Sequence, residues 1–166
     1  NGSMVLDPDE GQLASLHEGE GRLPEIIDIM NGIRSLFEIP LPLLEKKILV
    51  TAGPTREAID SVRFISNRSS GKMGYALAKV VRDMGADVKL ISGPVSLLSI
   101  PEIEMIYVET AAEMALAVQN QCGDADYLFM VAAVADYSPL NPADQKIKRN
   151  SKNKSIELKP ALDILK

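Results

Sequence analysis

The sequence contains no tryptophan, one cysteine and one histidine, and aromatic residues make up only 4% of its 166 positions. The single cysteine, Cys122, cannot form an internal disulfide, which is typical of a reducing compartment and predicts a cytoplasmic location. We expect Cys122 to be a packed thiol rather than a nucleophile. The single histidine, His17, lies in an acidic segment, so a histidine-based metal site is not expected.

The chain also lacks long apolar runs and an excess of positive charge. No stretch approaches the roughly 18 uninterrupted apolar residues that a membrane-spanning helix needs. The formal net charge is −5 at pH 7, whereas nucleic-acid-binding domains normally carry a basic face. Neither a membrane nor a nucleic acid is therefore expected as a partner, although a local cluster of residues could still hold a small anionic ligand.

Short apolar runs alternate with helical patterns from Lys47 onward. This alternation predicts strands joined by crossover helices, and so an α/β fold with a mostly parallel sheet covered on both faces. Thr110 and Glu113 have the spacing of a capping box and predict the start of the second helix. The expected strands are 48–51, 88–91, 105–108 and 127–131, and the expected helices are 73–84 and 111–121.

Residues 1–45 have a different character, because they are mostly acidic, rich in glycine and interrupted by proline. Their one apolar-periodic piece runs from about Ile26 to Phe37, and Pro40 and Pro42 break the pattern. The first four residues, NGSM, are interpreted as a tag remnant. The sequence predicts a tail and linker over 1–45 and a folded domain over 46–166.

The segment ISNRSSGKMG, residues 65–74, leads into the first predicted helix after an unusually long connection from the preceding strand. The start of a helix leaves N–H groups unpaired and carries partial positive charge, so it attracts anions, and glycine lets a phosphate approach closely. We expect Ser69 or Ser70 to cap this helix and Gly85 to end it. The expected buried stripe is Met73, Ala76, Leu77, Val80, Val81 and Met84.

The alternative interpretation of this segment is a well-capped turn without a ligand, since serine and glycine are common at such junctions. Neither a GxGxxG dinucleotide motif nor a P-loop is present. Two later segments also have alternatives. AAVADY, residues 132–137, could be small residues at a packing contact, and the basic run that begins at Lys146 could be a solvated surface.

Three motifs together identify a family. The string from Thr51 to Pro94, AAVADY and the KIK of residues 146–148 closely resemble, in the right order, the phosphopantothenate–cysteine ligase part of bacterial bifunctional coenzyme A enzymes. The resemblance runs from about Lys46 to the end of the chain. It implies a Rossmann-like three-layer fold and an enzyme that joins 4′-phosphopantothenate to cysteine through an acyl-cytidylate formed from CTP, with Mg²⁺ on the phosphates.

The resemblance also implies roles for individual residues. Asn67 matches the catalytic asparagine, whose amide could donate to the oxygen of the activated acyl group. Lys146 matches a lysine that contacts the nucleotide phosphates from a mobile flap. Backbone groups near the AAVADY motif would hold cytosine. The implied nucleotide-binding residues are Ser69, Ser70, Gly71, Met130, Val131, Ala132, Asp136 and Lys146, and no protein metal ligand is implied.

A weaker resemblance covers Leu6 to Glu25, which is similar to the last segment of the flavoprotein decarboxylase that precedes the ligase in the same polypeptides. Where that family has an acidic cysteine, this chain has Ser15, and a hydroxyl cannot easily replace a thiol as a proton donor. FMN would bind only to the decarboxylase part that is missing here. No decarboxylase activity is therefore expected.

Two other functions stay open at this stage. One is an NAD(P)-dependent reductase of the short-chain type, because residues 69–91 are similar to the nucleotide half of such folds, although the expected Tyr-x-x-x-Lys pair is absent. The other is a non-catalytic nucleotide-binding or assembly fragment, because the chain ends before later segments of the ligase family. The family also implies a homodimer or a larger homo-oligomer.

Overall fold

The computed structural model describes residues 5–12, 17–37, 41–149, 151 and 153–165. The chain divides into two units, residues 1–40 and 41–166, so the division lies five positions before the predicted one. In the first unit, strands β1 (Asp9–Gln12) and β2 (Glu18–Arg22) form an antiparallel pair, followed by helix α1 (Ile26–Leu36). Helix α1 coincides with the apolar-periodic piece, so the helix and the strand pair both lie where the sequence predicted a tail and linker. Ser15 lies outside the described residues.

The second unit is built around a four-stranded parallel sheet. Its elements are β3 (Lys47–Ala52), α2 (Lys72–Asp83), β6 (Asp87–Ser92), β7 (Glu104–Tyr107), α3 (Ala111–Cys122) and β8 (Tyr127–Met130). The strands lie in the order β7-β6-β3-β8, with β3 paired to both β6 and β8. All four strands and both helices were expected from the sequence, within a few residues at each end.

Alternate residues of β3 face opposite helices, which gives the fold its three layers. Ile48 and Val50 pack in one cluster with residues of α2, while Leu49 packs in another with Met114 and Val118 of α3. Side chains of a strand alternate between the two faces of a sheet, so a strand that is apolar at every position must be covered on both sides. The predicted α/β, Rossmann-like three-layer fold is confirmed.

Helix α2 buries a different face from the one predicted. Its buried residues are Gly74, Tyr75, Ala78 and Val81, whereas Met73 is 76% exposed. The reason is that the backbone of α2 approaches β3 closely at Gly74. A Cβ atom on Gly74 would lie only 2.5 Å from the Cβ atom of Ala52 in β3. A face that includes the small residues Gly74 and Ala78 therefore lies against the sheet, and of the predicted stripe only Val81 is buried.

Both helix-end signals are confirmed. The capping box of α3 is present, with Thr110 accepting from the Glu113 N–H and the Glu113 side chain accepting from the Thr110 N–H. Gly85, at a φ of 98°, follows the C-cap residue Met84 of α2, as expected. Cys122 is exposed at the end of α3, so the predicted packed thiol is wrong.

Two small antiparallel pairs complete the second unit. Strands β4 (Arg56–Ala58) and β5 (Phe64–Ser66) lie within the long connection between β3 and α2. The buried carboxylate of Glu57 accepts from the N–H of Ala111 at 2.8 Å, which fixes β4 at the start of α3. Strand β9 (Tyr137–Pro139) pairs with β10 (Leu158–Pro160). Among the described residues, no helix is long and apolar enough to cross a membrane.

Candidate functional site

A cavity of about 570 Å³ lies beyond the carboxyl ends of β3 and β6, at the start of α2. Open α/β sheets bind ligands at this edge. Its lining includes three of the predicted site residues, Asn67, Ser69 and Ser70, together with the cationic side chains of Arg56 and Lys72. The cavity is large enough for a small molecule and combines polar and positively charged groups, which suits an anionic ligand.

The start of α2 differs from the predicted serine cap. Gly71 is the N-cap residue, with a φ of 74°, and no side chain caps the first turn. Ser69 instead accepts a hydrogen bond from the N–H of Gly71 itself, at 3.3 Å. A Cβ atom on Gly71 would lie 2.7 Å from a methyl group of Val95, so a side chain would be strained there in both backbone and packing. The predicted Ser69 or Ser70 cap is wrong.

Asn67 connects the cavity to the segment that follows β8. Its side-chain amide donates to the carbonyl of Ala133 at 3.2 Å and to the carbonyl of Val134 at 3.0 Å. Both amide hydrogens therefore have acceptors on one stretch of backbone. The structure brings the predicted catalytic asparagine against the predicted cytosine segment.

Two buried threonines also form hydrogen bonds with this segment. The hydroxyl of Thr51 accepts from the N–H groups of Val131 and Ala132 at 3.1 and 3.2 Å, and the hydroxyl of Thr55 accepts from the N–H of Ala135 at 2.9 Å. Neither threonine is exposed to solvent. The N–H groups of Val131 and Ala132 are thus used within the protein, so the backbone groups that they could offer a base are their carbonyl oxygens.

Met130 and Asp136 lie around another cavity, of about 380 Å³, whose lining also includes residues 161–165. Asp136 is exposed, and its backbone carbonyl accepts from the N–H of Ala161 at 2.8 Å. These two predicted nucleotide residues are therefore not part of the lining of the larger cavity. The segment 131–135, which Asn67 contacts, lies between them in the chain.

Lys146 is exposed in a segment that packs against the turn between β4 and β5. The turn residue Asp60 accepts from the backbone N–H of Ile147 at 3.1 Å, and the guanidinium of Arg63 donates to the carbonyl of Ile147 at 3.0 Å. The hydrogen bond from Arg63, together with backbone N–H groups, holds the pKa of Asp60 well below its usual range. Asp60 is thus an ionised, hydrogen-bonded carboxylate throughout the neutral range.

Four residues of this region were not predicted from the sequence. Arg56 lies with its guanidinium 4.6 Å from the ring centre of Phe64, and Lys72 opens α2 beside Gly71. The lysine could have been found, since it directly follows SSG in the anion-binding segment. Thr51 and Thr55 gave a weaker signal, as hydroxyl residues at the end of a buried apolar run.

Comparison with known proteins gives one family. Residues 43–166 match the model of the DNA/pantothenate metabolism flavoprotein C-terminal domain. The chain is 45% identical, over 99% of its length, to the coenzyme A biosynthesis bifunctional protein CoaBC of Mycobacterium tuberculosis, and 45% identical over 100% of its length to the protein of the same name from Bacillus subtilis. It is also 43% identical, over 99% of its length, to a cysteine/cysteine sulfinic acid decarboxylase from an unknown prokaryotic organism.

The fold matches a solved member of the same group. A crystal structure of the C-terminal domain of a coenzyme A biosynthesis bifunctional protein CoaBC superposes with a TM-score of 0.65 at 45% identity, covering 74% of this chain and 57% of that one. The chain spans 40% and 42% of the two CoaBC sequences and 47% of the decarboxylase.

Proposed function

The chain belongs to the family of DNA/pantothenate metabolism flavoprotein C-terminal domains, and we propose that it is the part of a coenzyme A biosynthesis enzyme that joins 4′-phosphopantothenate to cysteine at the expense of CTP. The observation that carries the proposal is the 570 Å³ cavity at the start of α2, where Asn67 lies between cationic side chains and the segment 131–135. The names of the relatives agree with it.

The reaction has two steps. A carboxylate oxygen of 4′-phosphopantothenate attacks the α-phosphorus of CTP, the bond from that phosphorus to the bridging oxygen breaks, and pyrophosphate leaves. The free amine of cysteine then attacks the acyl carbon, the bond to the cytidylate oxygen breaks and CMP leaves, and the nitrogen loses one proton to solvent as the amide forms. Activation is needed because a free carboxylate is a poor acyl donor, and positioning and charge neutralisation do most of the catalytic work in such phosphoryl chemistry.

Residues of the cavity, together with the segments 131–135 and 141–149, would supply both requirements. The first turn of α2, Lys72 and Arg56 would bind the triphosphate, and Ser69 and Ser70 would donate hydrogen bonds to its oxygens. The carbonyls of Val131 and Ala132 would accept from the exocyclic amino group of cytosine. Lys146 would neutralise charge on the departing pyrophosphate. Mg²⁺ would enter on the phosphates of CTP and keep water ligands, since the described lining of the cavity contains no carboxylate.

Asn67 has the catalytic role in this proposal. Its amide would stabilise negative charge on the acyl oxygen during attack by cysteine, after exchanging one of its two carbonyl partners for the substrate. The proposed location is cytoplasmic and the proposed assembly is a homodimer or larger homo-oligomer, both as the sequence predicts.

A nucleotide panel tests the proposal. Thermal shift is measured with CTP, UTP, ATP and NADPH, each with Mg²⁺, and the largest shift is expected for CTP because binding to the folded state raises stability. Lys72→Ala should reduce the CTP shift, whereas Lys79→Ala, which changes an exposed lysine on the same helix outside the cavity, should leave it unchanged. A thermal shift selective for NADPH would contradict the ligase function and favour an NAD(P)-dependent reductase.

A further inference from the structure

The turn Ile59–Arg63, between β4 and β5, is fixed by its own hydrogen bonds. The N–H groups of Ile59 and Asp60 both donate to the carbonyl of Arg63, at 2.8 and 3.2 Å. One carboxylate oxygen of Asp60 accepts from the N–H groups of Val62 and Arg63, at 2.9 and 2.8 Å. The side chain of Asp60 is fully buried, so its orientation is set within the turn.

The second carboxylate oxygen of Asp60 contacts a distant part of the chain. It forms an ion pair with the Arg63 guanidinium and accepts from the N–H of Ile147 at 3.1 Å. The guanidinium of Arg63 in turn donates to the carbonyl of Ile147 at 3.0 Å. Both backbone polar groups of Ile147 are therefore held by one ion pair more than 80 positions away. The N–H of Ala143 adds a third contact, to the carbonyl of Ile59 at 3.0 Å.

Ile147 lies between Lys146 and Lys148, whose side chains are exposed. The segment 141–149 has no helix or strand of its own, so its position depends on these contacts with the turn. A loose basic segment would lose conformational entropy each time it closed on a ligand, whereas a segment that is already held loses less. Fixing the Ile147 backbone therefore restricts where the neighbouring lysine can reach.

We propose that Asp60 is a positioning residue, which holds the basic segment 143–148 through the backbone of Ile147 so that Lys146 is in place for the phosphates of the nucleotide. The inference rests on the proposed function for the identity of the ligand. Asp60 acts through Ile147 and does not itself touch the nucleotide, because its carboxylate is buried and occupied by N–H donors.

Hydrogen exchange tests the contact without any substrate. In Asp60→Asn, one oxygen is replaced by an NH₂ group that faces the donors of Arg63 and Ile147, so peptides covering 141–149 should exchange faster while peptides covering α3 stay protected. Asp144→Asn is the matched control, since it removes an exposed carboxylate from the same segment. If Asp60→Asn loosens the whole fold, Ile147→Pro removes the N–H donor and leaves the turn intact, and the same local increase is expected. Unchanged exchange in 141–149 would overturn the inference.

Kinetic measurements on the full-length enzyme test whether Asp60 positions Lys146 for the nucleotide. Asp60→Asn should raise the KM for CTP on the order of tenfold and leave the KM for cysteine almost unchanged, as loss of one charge-assisted contact would do. Combined with Lys146→Ala, it should add little, because both changes remove the same contribution. If the effects of the two substitutions on the KM for CTP were fully additive, Asp60 would be a structural residue that does not act through Lys146. A wild-type enzyme that does not use CTP would overturn the proposed function, and the exchange result would still decide whether Asp60 holds the segment.

Discussion

Asn67 and Val134 are 67 positions apart in the chain, yet the side-chain amide nitrogen of Asn67 lies 3.0 Å from the backbone carbonyl oxygen of Val134. The same nitrogen lies 3.2 Å from the carbonyl oxygen of Ala133. An amide nitrogen has two hydrogens, so these two acceptors use its full capacity as a donor. In the proposed reaction, Asn67 would therefore have to exchange one carbonyl for the acyl oxygen of the substrate.

We expect Asn67→Asp, in the full-length enzyme, to release pyrophosphate but fail in amide formation. A carboxylate would repel the developing oxyanion, while the start of α2 and Lys146 would still hold the triphosphate. The acyl-cytidylate should accumulate on the enzyme and be detected by mass spectrometry after an acid quench.

Two other results for Asn67→Asp would lead to different conclusions about this residue. A variant that forms no pyrophosphate would show that Asn67 orders the segment 131–135 for nucleotide binding, since a carboxylate would also repel the carbonyls of Ala133 and Val134. Normal product formation would leave Asn67 as a turn residue only.

Lys146→Ala should weaken the use of CTP and leave the fold intact. We expect the KM for CTP to rise on the order of tenfold, as loss of a charged phosphate contact would predict. The unfolding free energy should change by less than about 0.5 kcal/mol, because the side chain is exposed. Lys154→Ala, in the same basic run, is the control. Unchanged kinetics at low CTP concentration would mean that Lys146 does not contact the nucleotide and is only part of a solvated surface.

Gly74→Ala should destabilise the fold by about 1–3 kcal/mol, since a new methyl group would meet Ala52 and the carbonyl of Thr51 in the neighbouring strand. Gly123 provides the matched control, because a Cβ atom there would meet nothing within 4 Å and its φ of −65° suits any residue. Gly123→Ala should stabilise by about 0.4–1 kcal/mol. Urea unfolding of both variants is the measurement, and equal effects would mean that α2 does not approach β3 as closely as described.

The pH dependence of stability follows from three carboxylates. Arg63 lowers the pKa of Asp60, Lys47 lowers that of Asp124, and the backbone N–H of Lys47 lowers that of Asp126. A group with a depressed pKa binds fewer protons when folded than when unfolded. Its contribution to the free energy of unfolding is therefore fully present when the pH is above the ordinary pKa of 3.8. That contribution is lost as the pH falls through the pKa of the folded state.

The midpoint of urea unfolding should accordingly decrease as the pH is lowered from about 5 towards 2. Asp60→Asn should reduce this slope, because it removes the carboxylate with the most hydrogen-bond partners of the three. A midpoint that stays constant over this range would contradict the prediction.

Self-association can be tested at the edge of the sheet. Within the described residues β8 is an edge strand, and its Tyr127 and Phe129 are 50% and 37% exposed. Open strand edges with apolar side chains favour pairing with another chain. We expect dimers at micromolar concentration by light scattering and weaker association of Phe129→Lys, with Tyr107→Lys on the opposite edge strand as the control. A monomer at all concentrations would rule out pairing of this chain.

The layered fold could be predicted from the sequence because its signals are local. The strand Lys47–Ala52 is almost continuously apolar, and the box formed by Thr110 and Glu113 marks the start of α3 within four residues. The buried face of α2 could not be predicted in the same way. It depends on the distance between Gly74 and Ala52, which lie on different elements, and hydrophobic spacing alone favours the larger residues.

The candidate site was only partly predictable for a similar reason. Asn67, Ser69 and Ser70 belong to one recognisable segment, and they do line one cavity. The hydrogen bonds of Thr51, Thr55 and Asp60 instead join positions about 80 residues apart, and a single sequence contains no signal for such pairs.

The hydrogen bonds of Thr51 also have a consequence for folding during synthesis, because they join residues that are synthesised at different times. Thr51 lies 80 residues before Val131, and a ribosome that adds about 5–20 residues per second needs about 4–16 s to cover that distance. Until β8 emerges, one edge of the central strand β3 has no neighbour, and parallel pairing over such a separation is slow to form. The contacts of Thr51 with the segment 131–135 can thus form only after β8 has been synthesised, and during that interval this edge of β3 has no partner strand.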